Sequence, residues 1–102
     1  LLNRFGGEGL YILDEPEAAL SPTRQMAMLT RMHQLVQKRS QFVIATHSPI
    51  VMAYPDSVIY QLGSNGAQEI QYEDTEHYQV TRNFLNSREQ SLEVLLSDEG
   101  DG

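Results

Sequence analysis

The sequence predicts an α/β fold built around a parallel βαβ unit, and three observations carry that prediction. Residues 10–13, "LYIL", form a short apolar run bounded by Gly9 and by two acids. Residues 41–46, "QFVIAT", form a second short run rich in β-branched residues. Between them Met28, Leu29, Met32, Leu35 and Val36 recur at helical spacing. Two short strands joined through a helix of that length must run parallel, with a right-handed crossover expected.

Each element has its own local reason. Residues 1–5 look like the end of a helix stopped by Gly6 and Gly7. The run 10–13 has no polar alternation, the pattern of a strand buried on both faces. Ser21 stands as a helix N-cap with Pro22 at the first helical position. Lys38 and Arg39 close that helix, where cations suit the dipole. His47-Ser48-Pro49 follows the second strand directly, and residues 50–53 read as a helical turn broken before Pro55. Residues 57–62, "SVIYQL", are a third strand, "GSNG" at 63–66 is a turn, and residues 67–72 are a return strand. Helices are expected over 75–85 and 87–96, capped by Asp74 or Thr75 and by Asn86 or Ser87. The tail 97–102, "SDEGDG", is acidic and glycine-rich and is expected to be disordered.

The bulk composition excludes several classes. The 102 residues suffice for one small domain. Asp plus Glu number 14 against 7 Lys plus Arg, a net charge of -7, which argues against a general polyanion-binding surface in this segment. With no cysteine there is neither a disulfide framework nor a thiolate metal site. No apolar run approaches the roughly 18 residues of a membrane helix. The start "LLNRFGGEG" lacks both a signal-peptide layout and an initiator Met, and reads as an internal cut in a longer, cytoplasmic protein.

Chemistry concentrates at the strand ends. Ligands of open α/β sheets bind beyond the carboxyl ends of the strands. Asp14 and Glu15 end the first strand and His47 ends its neighbour, so all three are expected on one rim. A carboxylate that can hold hydrated Mg²⁺, a second that can polarise a water, and an imidazole suit phosphoryl transfer to water. Bland readings compete with this: a solvated acidic pair, a turn histidine, Glu17 as a first-turn acid near a helix dipole, His33 and His77 on the surface, and helix methionines as core filler. A nuclease would need further acids at the rim, and no second acidic cluster stands at a strand end.

The order strand, acid pair, proline, capped helix, strand, histidine is itself diagnostic. "GLYILDEPEAALSP" at 9–22 resembles the Walker B motif and D-loop of ATP-binding-cassette-type ATPases, and "FVIATHSPIVMAYPDSVIYQL" at 42–62 resembles their H-loop strand and the strand after it. The likeness covers roughly half the chain. The closing "TEHYQVTRNFLNSREQSLEVLL" is similar to the tail of a group of bacterial AAA-type ATPases. The resemblance implies the C-terminal part, residues 1–96, of a P-loop NTPase core that lacks its phosphate-loop strand. It implies ATP and Mg²⁺ as cofactors, Asp14 as the Mg²⁺ residue acting through water, Glu15 as general base and His47 as the switch histidine at the γ-phosphate. Ala19, Leu20, Ser21 and Pro22 become the D-loop of a head-to-tail dimer of two copies. Glu17 and Ser21-Pro22 depart from the transporter pattern "DEPTSALD" and match soluble RecF- and SMC-like relatives, whose partners would be DNA or a regulatory protein bound through other regions. A transporter subunit and an inactive interaction module are the alternatives. No G-x-x-x-x-G-K-[ST] and no "LSGGQ"-like signature occur in the 102 residues. The resemblance also implies that the phosphate-loop strand lies between the His47 strand and the strand matching 57–62, leaving unpaired edges without it.

Overall fold

A computed structural model describes residues 9–97. The expected helix end at 1–5 and the tail beyond Ser97 lie outside the described residues. The chain divides into two compact units, the first ending at Ser57 and the second beginning at Val58.

The first unit is the βαβ unit. Strand β1 (Leu10–Asp14) pairs in parallel with β2 (Gln41–Ala45), from Leu10 opposite Gln41 to Asp14 opposite Ala45. Helix α1 (Pro22–Gln37) connects them. Its start follows the sequence logic: Ser21 is extended, and its hydroxyl oxygen accepts the Arg24 N–H at 3.2 Å, with Pro22 first in the helix. Its end is sharper than the basic residues alone suggest. Arg39 takes a left-handed conformation (φ 71°), the Arg39 N–H reaches the Val36 carbonyl, and the Ser40 N–H reaches the Leu35 carbonyl. Those two bonds are a Schellman stop built without glycine, so Lys38 and Arg39 lie just past the helix rather than in its last turn.

Burial corrects one expectation. Strand β1 is buried on one face only. Tyr11 is 2% exposed and stacks on Phe42 with ring centroids 4.8 Å apart and planes 15° apart. On the opposite face Leu10, Ile12 and Val43 are about half exposed. The apolar run thus lacks alternation in residue type while alternating in burial. Helix α1 buries Met32 and Leu35, and Val51 joins them in the core. Of the helix methionines, Met32 is core filler as expected, Met28 is half-buried, and Met26 is exposed.

The second unit holds a hairpin and two helices. Strand β3 (Ile59–Gly63) pairs antiparallel with β4 (Gly66–Ile70), closing through Ser64-Asn65 between Gly63 and Gly66. Gly66 has φ +98°, which a side chain would strain. Helix α2 (Glu76–Asn86) starts at Thr75, the second of the two expected caps. The Thr75 hydroxyl donates to the Tyr72 carbonyl and accepts the Tyr78 N–H. Tyr72 and Tyr78 pack at 4.8 Å, and Arg82 lies 5.9 Å from the Tyr78 ring centroid. Burial, with Tyr78 and Glu73 alongside, pushes the Tyr72 hydroxyl above its ordinary value. Helix α3 (Arg88–Leu95) follows Ser87, whose side chain makes no capping bond. Among the described residues, no helix is long and apolar enough to cross a membrane.

Candidate functional site

The matched register of β1 and β2 decides where the site lies. Asp14 and Ala45 end their strands side by side, and the Glu15 N–H adds one more bond to the Ala45 carbonyl. Everything beyond that bond leaves the sheet on one rim.

Glu15 leaves it with φ 48° and ψ 56°, in the left-handed region. A non-glycine residue there costs about 1–3 kcal/mol and is held only by its surroundings. The turn redirects the chain into a single 3-10 turn, Pro16–Ala19. It also brings the Glu15 carboxylate Oε2 to 3.5 Å from His47 Nε2, close enough for an ion pair when the imidazole is protonated. Both side chains are at least half exposed, so the pair is open to solvent and to a ligand. Asp14 is exposed at the end of β1.

Beneath this pair lies a polar network. Glu17 accepts the Thr46 hydroxyl on Oε1 at 2.7 Å and the His47 backbone N–H on Oε2 at 3.0 Å. Partial burial pushes the Glu17 carboxyl up, but the hydrogen bonds from Thr46 and His47 outweigh it and hold the group below its ordinary value. Thr46 in turn accepts the Ser48 N–H at 3.0 Å. Ser48, buried, accepts the Ile50 and Val51 N–H groups at 3.1 and 3.0 Å and donates to Gln25 Oε1. The Gln25 amide N–H donates to the Leu20 carbonyl at 3.1 Å. The turn after β2 is therefore tied to the segment after β1 at two points, Glu17 and Leu20.

Of the expected D-loop residues, Ala19 ends the 3-10 turn, Leu20 is extended after it, and Ser21 and Pro22 begin α1. His33 is on the surface as expected, with its Nδ1 2.8 Å from the Tyr54 hydroxyl, and His77 is exposed at the start of α2.

The sequence profile of a family described as "AAA domain, putative AbiEii toxin, Type IV TA system" matches residues 2–53. The chain belongs to this AAA family. No curated protein matches it. The match covers β1, α1, β2 and the His47 turn, so the rim described above lies within the AAA-family part of the chain, and membership makes it a nucleotide-binding, ATPase-like segment.

Sequence reasoning passed over Thr46, Ser48 and Gln25 as site residues, and it did not foresee the bonds that Glu17 makes to Thr46 and His47. Glu17 stands in the first turn of the 3-10 helix as expected, and it is also a bridge to the next strand. One signal was available. Ser48-Pro49 repeats the Ser21-Pro22 pair; Ser21 caps α1 and Ser48 caps the turn that follows β2.

Proposed function

We propose that the rim formed by Asp14, Glu15 and His47 is the hydrolytic half of a Mg²⁺-dependent ATPase site of the cassette type, the phosphate-holding loop being supplied by a segment outside these 102 residues. The observation that supports this most is the 3.5 Å approach of Glu15 to His47 beyond two parallel strands in matched register. In this reading water attacks the γ-phosphorus. Its proton passes to the Glu15 carboxylate, the bond from the γ-phosphorus to the bridging oxygen breaks, and ADP and inorganic phosphate leave. His47 donates a hydrogen bond to the γ-phosphate, and the exposed Glu15 and His47 side chains leave room for both phosphate and water.

Asp14 suits a hydrated Mg²⁺. Among the described residues no three His, Cys, Asp or Glu side chains gather into a metal cage, and Mg²⁺ takes one or two carboxylates plus waters and phosphate oxygens rather than such a cage. When bound, that ion neutralises charge on the β- and γ-phosphate oxygens. Ala19 to Pro22 form the surface that meets a second copy in a head-to-tail dimer. The family's description favours a toxin-system ATPase over a transporter subunit.

The test is Glu15→Gln in the protein carrying its phosphate loop. It keeps Mg-ATP binding and slows hydrolysis by more than ~100-fold, the scale of a lost general base. Turnover equal to the parent protein's would remove Glu15 from that role.

A further inference from the structure

We infer that Glu17 is a positioning residue for His47, a clamp that fixes where the imidazole stands relative to Glu15. The inference rests on the reading of His47 just given and names the residue that makes it work.

Three observations carry it. The first is reach. Glu17 sits three residues after Asp14, on the 3-10 turn that Glu15 opens, and its carboxylate spans to the neighbouring strand end. Both of its oxygens are used there, one on the Thr46 hydroxyl and one on the backbone N–H of His47 itself. A two-pronged bond to consecutive residues fixes orientation as well as distance, which a single bond does not.

The second is position. The His47 side chain is two-thirds exposed. Sheet pairing ends at Ala45. The Glu17 carboxylate ties the His47 backbone to the β1 side of the rim, the side that carries Glu15.

The third is charge. Hydrogen bonds to an ionised carboxylate are shorter and stronger than neutral ones, and the Thr46 contact is 2.7 Å. A threonine or serine in place of Glu17 would be too short to span both partners. The side chain at this position is therefore a bonded, spanning group rather than a solvated residue. Both oxygens of the carboxylate are engaged, one by Thr46 and one by His47. It positions and does not itself transfer a proton.

The experiment has two arms. In the first, amide hydrogen exchange of His47 is followed by NMR without nucleotide in the parent protein and in Glu17→Ala, Glu17→Asp and Glu17→Gln. Exchange accelerates at least tenfold in Glu17→Ala. It accelerates nearly as much in Glu17→Asp, which keeps the charge and loses the reach. Glu17→Gln retains most of the protection, since its carbonyl oxygen still accepts from His47. The Asp and Gln variants decide the matter if the Ala variant fails to fold. Equal protection in all variants overturns the inference. In the second arm Mg-ATP turnover is measured for Glu17→Ala, His47→Ala and the double variant. The expected double variant is within about twofold of His47→Ala alone, because a residue that acts through His47 has nothing left to position. A Glu17→Ala loss undiminished in the His47→Ala background makes its role structural and overturns the inference. Absence of turnover in the parent protein refutes the ATPase reading, and the exchange arm then judges Glu17 by itself.

Discussion

Two serines with the same local sequence, Ser21-Pro22 and Ser48-Pro49, make a controlled comparison possible. Both side-chain oxygens accept backbone N–H groups of a following turn. Ser21 is exposed and caps one N–H, that of Arg24. Its replacement by Ala should cost about 1 kcal/mol, the usual loss of an N-cap whose freed N–H can turn to water. Ser48 is 6% exposed and satisfies two N–H groups, Ile50 and Val51, while donating to Gln25. Val51 is itself buried, so its freed N–H cannot be rescued by solvent. A buried unsatisfied group costs about 1–3 kcal/mol, and the half-buried Ile50 N–H and the Gln25 carbonyl oxygen add smaller amounts, so Ser48→Ala should cost ~2–4 kcal/mol. Urea unfolding followed by circular dichroism measures both variants on the same chain, without nucleotide. The m-value should be unchanged and the midpoint should fall further for Ser48→Ala. If Ser48→Ala proves as mild as Ser21→Ala, the buried network beneath His47 does not stabilise the turn, and the account of that turn fails.

Further predictions concern Glu15 and Glu17. Glu15 holds a left-handed backbone at a cost of about 1–3 kcal/mol, and glycine relieves that strain while losing ~0.5–1 kcal/mol to its freer unfolded chain. Glu15→Gly is therefore expected to be no less stable than the parent in urea unfolding and to lack ATP turnover; a clear destabilisation would show that the Glu15 side chain holds the rim together. The Glu17 carboxyl lies below its ordinary value in the folded chain. Its ionised form stabilises the fold fully above the ordinary carboxylate range near ~4.3, and that contribution disappears as pH falls through the lower folded value. The difference in unfolding midpoint between the parent and Glu17→Gln should stay constant from pH 6 to pH 8 and shrink on acidification below the carboxylate range. A difference that grows on acidification would reverse the assigned sign.

How much of this was legible depends on the range of the interaction. The βαβ order, the Ser21-Pro22 start of α1, the hairpin at Gly63 to Gly66 and the Thr75 cap of α2 are local, and local chemistry announces them. The convergence of Glu15 and His47 needed one non-local step, that two short parallel strands end in register, and the 41–46 run supplied it. The Glu17 clamp needed a second step. It depends on Glu15 being left-handed, and nothing in "DEPE" taken alone requires a non-glycine residue to adopt that conformation. The burial of β1 was misjudged for a similar reason. An apolar run states what a strand could bury, whereas the cover over Leu10, Ile12 and Val43 is a property of what packs there.

The left-handed turn at Glu15 and the Glu17 clamp explain one another. Pro16 disfavours the right-handed helical region for the residue before it. An extended Glu15 would carry the chain straight off the end of β1, away from β2. The left-handed conformation is the remaining way to turn back, and it folds Pro16–Ala19 so that Glu17 meets Thr46 and His47. Two hydrogen bonds to an ionised carboxylate then offset the strain of the turn. The same turn aims the Glu15 side chain at His47, 3.5 Å away. The strained residue, the proline and the second acid are thus parts of one device, and weakening the clamp should release the strain. In Glu17→Ala the Glu15 backbone is expected to relax out of the left-handed region, visible as a change in its HN–Hα coupling. The Glu15 and His47 side chains should separate with it, although neither has been altered.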